Sequence, residues 1–162
     1  MRKIDTLKAA IFAALPELGT DPDRIRIWIE RGTAKSTQTG TRGLAYAFQL
    51  NVLVVEMASD ISILFLAVFQ WMRVNQPDLM MPNADAIGFD AEILDNGTAD
   101  VLLQLQLDQA VSAAPRADGG FDLQYQGEPD PFDTSIMSIL EPEPAPVLTG
   151  FEVDEDTPPW EP

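Results

Sequence analysis

The sequence predicts an α+β fold: an antiparallel sheet of about five to six strands with two main helices on one face. Three observations carry this expectation. Apolar residues recur at steps of three and four near the N-terminus (Ile4, Leu7, Ile11, Ala14, Leu15, Leu18), the stripe of an amphipathic helix. Elsewhere they alternate, as in Ile25, Ile27 and Ile29 or Val101, Leu103, Leu105 and Leu107, the period of a strand. The segments also run helix, two strands, helix, then three or four strands; such segregation favours antiparallel pairing over βαβ units.

Taken in order, Pro16 marks the last turn of the first helix, because a proline cannot continue the backbone ladder. Residues Gly32 to Gly43, rich in Thr, Ser, Gln and Gly, suit a long hairpin loop or frayed strand ends. Leu44 to Met57 forms the second strand. Its apolar run Val52-Leu53-Val54-Val55 predicts burial on both faces. Ser59 or Asp60 can cap the second helix, which ends near Asn75 because residues before Pro77 avoid helical geometry. Two hairpins follow, over residues 87–107 and 109–126, the second turning at Asp118-Gly119-Gly120.

The first of these hairpins, FDAEILDNGTADVLLQ (residues 89–104), allows a register prediction. Apolar positions are odd on both strands, so a two-residue Asn-Gly turn would set each of them opposite a residue of the other class. A three-residue corner, Asp95-Asn96-Gly97, pairs Leu94 with Thr98, Ala91 with Val101 and Phe89 with Leu103. A one-residue slip flips a whole face, so burial selects this register, with Gly97 left-handed after a type I turn. Asp90, Glu92 and Asp100 then share the face away from the core, Glu92 opposite Asp100. Like charges facing each other are unfavourable. Their spacing would suit a pair of glycosidase carboxylates, yet the sequence supplies no pocket to raise either pKa and no calcium-loop spacing. A solvated face is the simplest reading, ahead of a surface for a basic partner.

Composition narrows the chemistry further. The 162 residues include no Cys and no His, which removes disulfides, thiol nucleophiles and the commonest general base and metal ligand. Any enzyme here would have to run on carboxylates, hydroxyls, Lys or Arg, and no catalytic, cofactor-binding or metal residues stand out at a suitable spacing. Asp5 and Lys8 interrupt any signal-peptide core. The longest greasy run, Ile61 to Phe69, is about half of the ~20 residues needed to span a bilayer, so a soluble chain without membrane contact is expected. Of the net charge of −16, residues 1–116 carry all ten Lys and Arg and 14 of 26 acids, and residues 117–162 carry 12 acids and no base. No basic stripe is offered to phosphates, which argues against sequence-specific nucleic-acid binding.

Two domains of different character follow: a globular α+β domain over 1–126 and an acidic, proline-rich extension over 127–162. The extension holds eight of the 13 prolines and too little apolar surface to offset its chain entropy, so it is expected to be disordered or docked. Its sticky islands, Phe132, Ile136, Phe151 and Trp160, suit docking. The second helix is apolar almost all round, which requires cover on every side. Phe65, Phe69, Trp71 and Met72, with Arg73 at the helix end, are accordingly candidate protein-interface residues, together with the four in the extension.

Three stretches carry a resemblance: LPEL followed by DPDRI (residues 15–25), WMRVNQPDLM (71–80) and FDAEILDNGTADVLLQLQLDQAV (89–111). They resemble the tail completion protein R family of temperate phages with contractile tails, over about residues 5–115. The resemblance implies a virion assembly protein, not an enzyme, of tail-terminator-like fold that caps the head-proximal end of the tail as a ring, expected to be hexameric. Implied partners are further copies of the chain, the tail tube or sheath protein and the head-tail connector proteins. Implied localisation is the virion tail after assembly in the host cytoplasm. The competing readings are a carboxylate hydrolase and an acidic adaptor that binds a basic partner through its C-terminal tail.

Overall fold

The computed structural model describes residues 2–36, 42–83 and 85–128. Along the chain come α1 (Arg2–Ala14), α2 (Pro16–Thr20), a 3₁₀ turn (Pro22–Arg24), β1 (Ile25–Ser36) and β2 (Leu44–Met57). Then follow α3 (Ile61–Asn75), a second 3₁₀ turn (Pro77–Met80), β3 (Gly88–Ile93), β4 (Ala99–Pro115) and β5 (Phe121–Tyr125). The fold is α+β as predicted. The five strands form one antiparallel sheet in the order β1-β2-β4-β3, with β5 also pairing with β4.

The core lies between this sheet and the helices. Leu7, Ile11, Leu15 and Leu18 from the N-terminal helices and Leu64, Val68 and Met72 from α3 meet Phe48, Leu50, Val52 and Val54 of β2 and Val101, Leu103, Leu105 and Leu107 of β4. These β positions alternate because one face of each strand is buried. Leu53 and Val55 are half-buried on the opposite face, so the expected burial of β2 on both faces is only partial. Leu53 lies directly opposite Leu102 of β4 there, the cross-strand position at which two apolar side chains cover each other.

Three local outcomes differ from the expectations or decide between them. Pro16 opens α2 instead of sitting in the last turn of α1; at the first helical position its missing N–H removes no intrahelical bond. β1 runs on to Ser36, paired with Leu44, so of the two expectations for Gly32 to Gly43, a long hairpin loop or strand ends, the described residues 32–36 are strand. The two predicted hairpins share one long strand, β4, which pairs with β3 over 99–104 and with β5 over 111–115.

The corner at 95–97 follows the predicted register. Ala91 pairs with Val101, Phe89 with Leu103 and Glu92 with Asp100. Leu94 N–H donates to Thr98 O (2.9 Å), and Gly97 has φ 81°, the left-handed region that glycine enters without a Cβ clash. Asp60 caps α3, accepting from Ser62 N–H (2.7 Å). Hydrogen bonds from the Ser62 hydroxyl and N–H hold the Asp60 carboxyl below its ordinary pKa.

Candidate interaction surfaces

The predicted interface residues on α3 separate into two groups. Trp71 and Met72 point into the chain's own core, at 6% and 0% exposure, and the Trp71 indole N–H donates to Thr6 Oγ1 (3.0 Å). Phe65 and Phe69 are half-buried and Arg73 is exposed. Phe65 meets Phe89 of β3 edge to face, with ring centroids 4.9 Å apart, the arrangement that aromatic quadrupoles favour. The apolar residues left to solvent on this helix are Ile63, Leu66 and Val74, at 43%, 59% and 71% exposure. Phe132, Ile136, Phe151 and Trp160 lie outside the described residues.

The acidic hairpin is an open surface. Asp90 and Glu92 are exposed on the face without helices. Asp100 has a structural role that the sequence did not disclose: its Oδ1 accepts from Glu56 N–H (2.7 Å). Glu56 sits at positive φ (49°) where the β2–β4 register shifts between Val54 and Met57. The carboxylate thus satisfies a backbone donor that the irregular ladder releases. The nearest cleft, about 390 Å³, is lined by Met57 to Ile61, Ala91, Ile93 and Gly97 to Ala99, and neither Asp90 nor Glu92 contributes to it. Among the described residues no three carboxylates gather closely enough to hold a metal ion. Every buried side-chain nitrogen and oxygen there has a hydrogen-bond partner, so no polar group waits in a pocket for a substrate. No described helix is long and apolar enough to cross a membrane.

The same open face carries a ladder of amides. Glu30, the extra residue of a bulge in β1, accepts from Gln49 Nε2 and Asn51 Nδ2, both at 2.9 Å. Gln106 Nε2 donates to Gln49 Oε1 (3.3 Å). These bonds keep a face without helices polar along β1, β2 and β4.

A buried polar junction ties the two long helices to β4. Between β3 and β5 the free edge of β4 would be unpaired near Asp108, and the Gln76 side chain fills that gap. Its Nε2 donates to Asp108 Oδ1 (2.7 Å) and its Oε1 accepts from Asp108 N–H (3.3 Å). Lys3, 5% exposed, donates to Gln76 Oε1 (2.9 Å) and to Glu128 Oε1 (2.8 Å). Neither Lys3 nor Gln76 was singled out from the sequence, although the signal existed: Lys3, Leu7 and Ile11 share one stripe at four-residue steps, so a buried cation was due there.

Among the described residues the chain presents open apolar positions on a helix, a sheet with unpaired edge strands and carboxylates turned to solvent. Comparisons with known proteins identify the class to which it belongs. The chain belongs to the P2 phage tail completion protein R family, whose sequence model matches residues 1–129. It is 30% identical over 134 residues to "Tail completion protein R" of Escherichia phage P2, an alignment covering 81% of this chain and 86% of the relative. No solved structure matches it significantly. Membership supports a tail completion role as a structural component of the phage tail, associated with other tail components; it is not a known enzyme family.

Proposed function

We propose that the protein completes the tail by closing its head-proximal end as a ring, expected to be a hexamer. The ring stops further polymerisation of tube or sheath and leaves a surface to which the head-tail connector can bind. The observation that carries this reading is the outer side of α3, where Ile63, Leu66 and Val74 stay exposed once the chain has folded. Full burial of such a side chain contributes roughly 1.5–3 kcal/mol, so a neighbouring subunit or tail protein that covers them is stabilised. The deficit of basic residues fits the same reading, since an acidic ring repels DNA passing through it.

Light scattering coupled to size exclusion tests the ring: the expected mass is six times the 17.8 kDa chain. A phage lacking the protein is expected to accumulate heads beside unjoined or overlong tails. Normal virions from that phage would refute the assignment.

A further inference from the structure

The sheet ends in two open strands of opposite charge. Among the described residues β1 pairs with β2 alone and β3 with β4 alone, so each presents one unpaired row of backbone donors and acceptors, a template for another strand. On β1, Arg26, Arg31 and Lys35 are exposed; its one carboxylate, Glu30, is bonded to Gln49 and Asn51. On β3 and its corner, Asp90, Glu92 and Asp95 are exposed with no cation among residues 85–98. None of these six charges makes an ion pair or a side-chain hydrogen bond among the described residues. Both edges also expose apolar side chains: Trp28 and Ile29 at 41% and 40%, Phe89 and Ile93 at 53% and 78%.

The register places these groups in matching rows. Arg26 lies opposite Leu53, Leu53 opposite Leu102, and Leu102 opposite Asp90. One row therefore crosses the whole sheet with a cation at one end and a carboxylate at the other. The next row runs Ile27, Val52, Leu103, Phe89, apolar throughout and on the helix face. β1 and β3 run in opposite directions, because three antiparallel steps separate them. A second copy set beside the first without axial shift thus brings its β1 antiparallel to β3, Arg26 beside Asp90 and Ile27 beside Phe89. Charges on an open edge ordinarily keep strands apart. Here they reject only like edges, cation against cation or carboxylate against carboxylate, and attract unlike ones.

We propose that β3 of one copy pairs with β1 of the next, head to tail, so that the sheet continues from subunit to subunit. This deepens the ring reading above and rests on it. Such a contact is heterologous, the kind that closes into a ring when the rotation between copies allows.

The test uses full chains carrying Arg26→Asp or Asp90→Arg, followed by sedimentation velocity at low and high salt. Each variant alone is expected to lose at least tenfold in self-association, because one edge of every contact is then repulsive. An equimolar mixture of the two is expected to regain assembly. The new cation on β3 of one variant can then meet the new carboxylate on β1 of the other, with the original pair in alternate contacts. Such recovery also shows that neither variant is simply unfolded. Wild-type assembly by both single variants would overturn this interface while leaving the ring reading on another surface. Loss of assembly in both variants without recovery in the mixture would overturn it too. A wild-type chain that is monomeric at every concentration and salt would remove the ring reading and this contact together. If carbodiimide then joined Lys35 to that monomer's own carboxylates beyond residue 128, the basic edge would belong to the acidic extension.

Discussion

α1 and α3 lie in the same layer on the same sheet, yet they divide their surfaces differently. α1 buries one stripe, Lys3, Leu7 and Ile11, and turns Arg2, Asp5, Lys8 and Ala9 outward. α3 buries Leu64, Ala67, Val68, Trp71 and Met72 and still exposes Ile63, Leu66 and Val74. The first helix is matched to what its own chain can cover. The second leaves apolar side chains at the surface, so its inner side serves stability and its outer side is the one proposed above for association.

Substitutions on the two sides of α3 should separate these roles. Met72→Ala, on the inner side, is expected to cost about 2–5 kcal/mol as a buried deletion that leaves a cavity, read from urea unfolding. Gln76→Ala strikes the junction between α1 and α3; it leaves Asp108 N–H without a partner and removes one acceptor from Lys3, which keeps Glu128, and should cost about 1–3 kcal/mol in the same assay.

Glu17 makes a smaller, pH-dependent link from α2 to the segment before α3. Partial burial by itself would raise its carboxyl, but hydrogen bonds from the backbone and from the Ser59 N–H and hydroxyl outweigh it, and its pKa is lowered. A depressed folded pKa contributes stability above the unfolded value, ~4.3 for Glu, that is lost as pH falls through the folded value. Glu17→Gln should therefore be less stable than the parent at neutral pH, with the gap closing in acid unfolding titrations. Leu66→Gln, on the outer side, should change stability by no more than about 0.5 kcal/mol while weakening association in light scattering. A loss as large as that of Met72→Ala would place Leu66 in the core and erase the contrast.

Legibility in the sequence followed the same division. The corner at 95–97 and the register of β3 on β4 could be read because a buried face forces strict alternation and Gly97 marks the position in that corner that needs positive φ. The end of β1 could not. From Arg31 to Ser36 both sides of the strand are exposed, so no alternation distinguishes strand from loop. The continuity of β4 was hidden because its far end, Ala113-Ala114-Pro115, lacks a strong apolar face. On α3 the hydrophobic run announced a need for cover without saying which residues the chain would cover itself. Trp71 and Met72 were grouped with Phe65 and Phe69 for that reason, and only packing separates them. The Lys3–Gln76–Asp108 junction joins residues far apart in the chain, and no local pattern predicts such a meeting.

The shared strand β4 also sets an order of events in folding. Its hairpins with β3 and β5 close through the short turns at 94–98 and 116–120, local contacts of the kind that form in about 1–10 μs. Its pairing with β2 joins Leu44 to Val111 and Met57 to Ala99, with all of α3 in between, and contacts so distant in sequence slow a chain's search. Until that pairing forms, β4 is a long strand with one apolar face bare. The step expected to limit folding is thus the docking of the β1–β2 hairpin on β3–β4–β5 across the helix that bridges them, so a substitution at the β2–β4 contact should slow refolding more than one in the turn at 94–98.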